Sequence, residues 1–241
     1  MSQQLLDGVP LTALSGVGAA ISEKLCRIGI NNVQDLLFHL PLRYEDRTRI
    51  TPIADVRPES FATVEGFVQL TEVQFGRRPI LSTTISDGTS KITLKFFNFN
   101  AGMKNSLATG VRVKAFGEIK RGRFMAEMHH PEYQIIRGNQ PLELAETLTP
   151  IYPTTEGLKQ ASLRKLTDQA LALLERVQVA ELLPDEFNPH KYSLKEALQL
   201  LHRPPPSVSS ELLDKGEHPA QKRLIFEELL AHNLAMQQVR M

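Results

Sequence analysis

The chain has 241 residues, a formal net charge of +1 and one cysteine. This length allows one large domain or two to three small ones, and the near-neutral charge means that any signal for nucleic-acid binding must be local. One cysteine excludes a disulfide framework and a cysteine-based zinc site within the chain, and no apolar run approaches the roughly 18 residues of a membrane span, so we expect a cytoplasmic protein.

The sequence of residues 1–50 predicts two short helices joined by glycine turns. Ile21, Leu25 and Ile28 fit one helical face, and Gly29 fits the position after a helix end, where a positive φ is favoured. Asn32 is a suitable N-cap for the second helix. The pattern is similar to a helix-hairpin-helix element, whose turn offers backbone N–H groups to phosphate. The alternative is a helical hairpin that only packs on a neighbour, which the equal numbers of acidic and basic residues in this segment favour.

Residues 51–145 predict a small β-barrel. Strand-like runs cover residues 61–75, 79–86, 91–97, 110–119 and 124–136, with a short helix over 98–107. Three strands, a helix and two more strands is the order of the OB-fold, a Greek-key barrel. Alternation in the first run places Val64, Val68 and Leu70 on one face, and Gly66 within it indicates a bulge or a bend.

The third run carries the main candidate site. Its alternation places Ile92, Leu94 and Phe96 on the core face and turns Lys95 and Phe97 towards solvent. An exposed aromatic ring beside ammonium groups suits the stacking of a nucleic-acid base, because lysines can meet the phosphates. The alternative is that the Phe97 ring packs under a neighbouring helix.

Basic turns extend this candidate site. OB barrels bind nucleic acid on the face of their second and third strands and on the flanking loops. The predicted basic contacts are Lys95, Arg77, Arg78, Lys120, Arg121 and Arg123. The alternative for the turns is that their charges are simply solvated.

The adjacent histidines, His129 and His130, invite a metal interpretation. Neighbouring strand residues point to opposite faces, so two such side chains do not converge on one ion. We therefore predict no metal site.

Residues 146–241 predict a helical region. The pattern indicates an extended linker over 149–157, a helix over 162–177, a helix with a capping box at Ser193 and Glu196, and an amphipathic helix over 221–239. The whole chain is thus predicted to be an α+β protein. An OB-fold barrel (51–145) is flanked by an N-terminal helical hairpin (1–50) and C-terminal linker helices (146–241).

Several motifs in order carry a family resemblance: Leu14–Gly18, Leu40–Arg47, Phe96–Asn98, Thr149–Gly157, His202–Pro206 and Phe226–Leu230. Together they resemble the N-terminal region of the RecG family of ATP-dependent DNA branch-migration helicases, over essentially the whole chain. The resemblance implies that the barrel is a wedge that splits the parental duplex at a stalled fork. It also implies that Phe97 stacks on the base at the branch point. Family members often carry a tyrosine four positions later, where this chain has Ala101, so Phe96 or Phe99 are candidates to replace it.

The resemblance also bears on activity and partners. The sequence has no phosphate-binding loop ending in Gly-Lys-Ser/Thr, so we expect no ATP hydrolysis and no cofactor in this chain. The family's motor, with ATP and Mg²⁺, would begin beyond Met241. The implied partners are stalled forks, Holliday junctions and single-stranded-DNA-binding protein, and we expect a monomer that contacts no membrane. The alternative function is a single-strand-binding or protein-docking OB module.

Overall fold

The computed structural model describes residues 6–76, 78–138, 144–177, 179, 181–188 and 191–239. The helices are α1 (Ala19–Cys26), α2 (Val33–Phe38), α3 (Ala101–Ser106), α4 (Gln160–Arg176), α5 (Leu194–His202), α6 (Ser210–Asp214) and α7 (Pro219–Val239). The strands are β1 (Arg43–Glu45), β2 (Phe61–Gln74), β3 (Ile80–Ser86), β4 (Lys91–Phe96), β5 (Arg112–Arg121), β6 (Ala126–His129), β7 (Glu132–Ile136) and β8 (Thr149–Ile151). The predicted α+β class is confirmed.

Two compact units make up the chain. One unit spans Asp46–Thr147 and contains β2 to β7 with α3. The other joins Met1–Glu45 to Leu148–Met241. In this second unit the predicted N-terminal hairpin and the C-terminal helices share one hydrophobic core, to which α1, α2, α4 and α5 all contribute buried leucines.

Local signals in the helical unit behave as the sequence predicts. The side chain of Asn32 accepts the Asp35 N–H at 2.8 Å and so caps α2. Gly29, just beyond α1, has φ +82°, a backbone conformation whose free energy is higher for residues with a side chain. Ser193 and Glu196 form a reciprocal capping box at the start of α5.

A buried hydrogen-bond chain ties α5 to α2. The Nε2–H of His202 donates to the Leu37 carbonyl at 2.8 Å. Nδ1 is therefore the acceptor, and the Tyr152 hydroxyl donates a hydrogen bond to it at 2.8 Å. Arg203 donates to the same hydroxyl oxygen at 3.2 Å. Burial lowers the pKa of His202 to about 4, which keeps this imidazole neutral at ordinary pH.

The last helix, α7, is anchored at its start. Arg223 is 1% exposed and pairs with Glu227 and with the carboxylate of Glu181. Leu224 is also buried, whereas Leu230 and Leu234 on the predicted amphipathic stripe are exposed. None of the helices in the described part of the chain is long and apolar enough to cross a membrane.

The strand pairings of the other unit close a ring. β2 pairs with β3, β3 with β4, β4 with β6 in parallel, β6 with β5, and β5 with β2 again. β7 pairs with β5 outside this ring. A five-stranded ring with the helix α3 between its third and fourth strands is the OB-fold arrangement, as predicted. Its core is fully buried at Val64, Leu81, Ile85, Ile92, Leu94, Val113, Ala115, Ile119 and Met128.

The first strand departs from the prediction at one point. The register between β2 and β3 shifts between Val68 and Leu70, so Leu70 turns outward and is 53% exposed. The prediction that Leu70 shares a face with Val64 and Val68 is therefore wrong, because those two side chains are buried. The bulge lies there, and Gly66 has another role in the strand. A Cβ on Gly66 would lie 2.8 Å from the backbone oxygen of Ser86, so the two strands approach closely only because the side chain is absent.

The run over 124–136 forms two strands instead of one. β6 ends at His129, and β7 begins at Glu132. Pro131 lies between them without an N–H to donate, and His130 has φ +50°. Beyond this break the chain no longer pairs with β4, and β7 continues the pairing with β5 that β6 began.

Candidate nucleic-acid interface

The outer face of β3, β4 and β6 is polar. Its side chains are Ser82, Thr84 and Ser86 on β3, Lys91, Thr93 and Lys95 on β4, and Glu127 and His129 on β6. Alternation puts these residues opposite the core, because their neighbours in each strand are buried apolar side chains or Thr83. Hydroxyl and ammonium groups on such a face are suited to phosphate oxygens. We call this surface the outer face.

Phe97 follows the last residue of β4 and lies at one end of the outer face. Its side chain is 40% exposed, whereas the preceding Phe96 is 3% exposed, so the predicted alternation is confirmed. Two imidazoles contact the Phe97 ring by edge-on geometry, His129 at 5.3 Å and His130 at 5.0 Å between centroids. The Phe97 N–H also donates to Nε2 of His130 at 3.3 Å. The ring is thus held in place while part of it stays open to solvent.

His129 and His130 therefore both contact the Phe97 ring, although neighbouring residues of a regular strand point to opposite faces. The expectation that they point to opposite faces is wrong, because His130 lies beyond the end of β6 with a left-handed φ of +50°. Its N–H donates to the Lys95 carbonyl at 2.8 Å, which fixes this turn against β4. Within the described ranges, no group of three or more His, Cys, Asp or Glu side chains could hold a metal ion.

Lys95 shares its charge with a carboxylate. Its ammonium lies 2.7 Å from Glu127, and His129 Nε2 lies 3.2 Å from the same carboxylate. Burial acts to raise the pKa of Glu127, but hydrogen bonds from Lys95 and His129 outweigh it and lower that pKa. A phosphate would therefore meet Lys95 as part of an ion pair. Its role as a phosphate contact stays a prediction.

The two candidates to replace the family tyrosine are not free rings. Phe96 packs edge-on against Tyr133 at 5.4 Å between centroids, inside the barrel core. Phe99 is partly buried against the same core. Ala101 is exposed as the first residue of α3, directly after the N-cap Asn100. Burial leaves Phe96 without an exposed ring face, so it can meet a base only by leaving the core.

The basic turns lie at the two ends of the outer face. Gln74 pairs with Ile80 beside the pair of Leu81 and Phe96, which puts the β2–β3 turn at the Phe97 end of β4. In the same way, Ala126 pairs with both Arg121 and Ile92, which puts the β5–β6 turn at the other end of β4.

The predicted basic residues of these turns are exposed where they are described. Arg78, Lys120, Arg121 and Arg123 all face solvent, and Arg77 lies outside the described residues. Lys120 forms an ion pair with Glu118 at 3.1 Å. An exposed pair of this kind is worth little, about 0–1 kcal/mol, so Lys120 can exchange Glu118 for a phosphate.

Sequence reasoning missed the most exposed aromatic residues of the barrel. Phe75 at the β2–β3 turn is 91% exposed, and Phe124 at the β5–β6 turn is 86% exposed. The Arg123 guanidinium lies 5.1 Å from the centroid of the Phe124 ring. The available signal was an aromatic residue beside arginines in a turn between two strands.

Comparisons with known proteins agree with this architecture. The family model described as the RecG wedge domain matches residues 10–174. The ATP-dependent DNA helicase RecG of Pasteurella multocida (strain Pm70) is 77% identical over 240 residues, covering 100% of this chain and 35% of that protein. The RecG helicase of Escherichia coli (strain K12) is 58% identical over 236 residues, covering 98% of this chain and 34% of that protein.

A solved structure of RecG bound to a three-way DNA junction also matches. It superposes with a TM-score of 0.68 at 27% sequence identity, covering 100% of this chain and 32% of that chain. The chain thus spans about a third of the length of the curated relatives it matches.

Proposed function

Because the chain belongs to the RecG wedge domain family, we propose that it binds branched DNA and separates strands as part of a RecG-like DNA repair and recombination helicase. The observation that best supports this is the half-open ring of Phe97 at the end of the outer face, held by His129 and His130. At a fork or Holliday junction, a base at the branch point can leave its partner and stack on this ring. In continuous duplex the bases remain stacked on one another.

The rest of the outer face would hold the DNA backbone. The partly exposed hydroxyls of Thr84 and Ser86 on β3 can donate to phosphate oxygens, and the exposed arginines of the two turns can neutralise phosphates. These contacts carry no sequence information, which suits a protein that must act on branches of any sequence. They also make affinity depend on salt, because each phosphate contact releases counterions.

We assign the motor functions elsewhere. The sequence contains no phosphate-binding loop, and the chain matches only about a third of each relative. ATP hydrolysis with Mg²⁺ would then belong to the unmatched part of the RecG proteins. We further propose, from the family resemblance, a cytoplasmic monomer that also contacts single-stranded-DNA-binding protein.

Competition binding tests the proposal. The 241-residue chain is bound to a labelled fork and challenged with unlabelled fork, three-way junction, linear duplex or single strand of equal nucleotide number. We expect both branched competitors to displace the label at clearly lower concentration than the linear duplex. Equal competition per nucleotide by linear duplex would contradict branch recognition, and stronger competition by a simple single strand would favour a single-strand-binding OB module.

A further inference from the structure

Two exposed phenylalanines lie at the tips of two turns of the barrel, Phe75 in the β2–β3 turn and Phe124 in the β5–β6 turn. Phe75 and Phe124 are more exposed than any other large apolar side chain in the part of the chain that the structure describes. Scattered apolar residues at a surface need no explanation, but two nearly bare rings at matching turns of one barrel do. Neither ring contributes to the barrel core.

An arginine accompanies each ring, in space at Phe124 and in sequence at Phe75. Arg123 places its guanidinium 5.1 Å from the centroid of the Phe124 ring, within the range of a cation–π contact. On the other tip, exposed Arg78 lies three residues beyond Phe75. An aromatic ring with a neighbouring cation fits single-stranded nucleic acid, because the base stacks on the ring while the cation meets the phosphate. A purely apolar protein partner would gain nothing from these charges.

The strand register places the two tips at opposite ends of one surface. The β2–β3 turn lies beside the end of β4, and the β5–β6 turn lies beside its start. β4 has six residues, so the tips are separated by roughly 20 Å at about 3.3 Å per residue. Between them lies the polar outer face, on which Lys91 is exposed and Thr84, Ser86 and Lys95 are partly exposed.

We propose that Phe75 and Phe124 are base-stacking platforms for single-stranded DNA at the two ends of the outer face. This inference rests on the proposed function, since the single strand would be one released at the branch point. Phe97, at the Phe75 end, would take the base at the branch itself. The two tip residues would then hold unpaired nucleotides further along the released strand.

Affinity for a dT oligonucleotide and for a duplex of equal length tests this proposal. We expect Phe75→Ala and Phe124→Ala each to weaken dT binding by about fivefold to 150-fold, the cost of one lost base stack. Duplex binding should change by less than about twofold. Phe124→Tyr keeps a ring and should bind dT like the parent. Phe187→Ala is the matched control, because Phe187 is 52% exposed in the helical unit.

Salt dependence separates stacking from charge. Removing a ring should leave the slope of log affinity against log salt unchanged, whereas Arg123→Ala should reduce it by about 0.7. Variants that bind dT like the parent, or that lose single-strand and duplex affinity equally, would overturn the proposal. If the parent chain prefers forks to linear duplex, the proposed function stands whatever the variants show. If the parent shows no such preference, the proposed function itself is wrong.

Discussion

The contrast between Phe96 and Phe97 gives the sharpest prediction, since adjacent residues of one type have opposite environments. Phe96 is 3% exposed in the barrel core, and Phe97 is 40% exposed at the end of the outer face. We compare Phe96→Ala, Phe97→Ala and Phe97→Leu with the parent. The leucine variant keeps apolar packing against the two histidines but removes the flat aromatic ring.

The structure sets the expected magnitudes. Truncating a core phenylalanine costs about 3–5 kcal/mol of unfolding free energy, which is the expectation for Phe96→Ala. Full burial of such a side chain contributes only about 1.5–3 kcal/mol, so the partly exposed Phe97 should contribute roughly 1–2 kcal/mol. Binding should show the reverse order. Loss of a base stack costs about 1–3 kcal/mol, or about fivefold to 150-fold in fork affinity.

Thermal melting by circular dichroism and fork binding by fluorescence anisotropy provide the two measurements. Phe97→Leu should melt close to the parent yet bind forks as poorly as Phe97→Ala, and linear duplex binding should barely change. A folded fraction of Phe96→Ala, measured below its melting point, should still bind forks. The reasoning fails if Phe97→Ala melts as low as Phe96→Ala, or if it binds forks as the parent does.

Three further predictions concern charge, backbone packing and pH. The double change Arg121→Ala and Arg123→Ala should flatten the salt dependence of DNA binding by about one to two units on every DNA form; an unchanged slope would return these arginines to plain solvation. Gly66→Ala should lower the unfolding free energy by about 1–3 kcal/mol, because its Cβ would lie 2.8 Å from a backbone oxygen of β3, while Gly76→Ala should be tolerated in urea unfolding. Burial opposes ionisation of Asp87, but backbone and side-chain hydrogen bonds outweigh it and lower its pKa to about 2. The ionised Asp87 carboxylate therefore adds to the unfolding free energy above about pH 4, and this addition is lost as the pH falls through 2. Asp87→Asn should therefore be less stable than the parent at pH 7 and equally stable in acid. A difference in unfolding free energy that does not depend on pH would contradict this.

Alternation and capping patterns predicted most of the fold. The outward position of Phe97 and the inward position of Phe96 follow from the period of a regular strand, which β4 is. The same rule failed for Leu70 and for the histidine pair. In each case the backbone leaves the regular strand, through a bulge in β2 and a left-handed residue at His130. These departures depend on how strands meet across the barrel, which a single strand's pattern does not contain.

The exposed tips were missed for a related reason. An aromatic residue in a turn can fold back onto the barrel or stand free, and the sequence around Phe75 and Phe124 does not distinguish the two. Conversely, Lys95 was predicted as a phosphate contact from its position alone, and its ion pair was not predicted. Its partner Glu127 lies on β6, and the parallel pairing of β6 with β4 that brings the two side chains together cannot be read from the pattern of either strand.

The central claim is that the ring at position 97 meets a base at a DNA branch point. The chain contains no tryptophan, so Phe97→Trp introduces a single fluorescent reporter at this position. We predict that its fluorescence is quenched on titration with a fork, saturates at one DNA per chain, and stays nearly constant with linear duplex under the same salt. A fork that binds without changing the tryptophan signal, or a linear duplex that quenches it equally, would contradict the account.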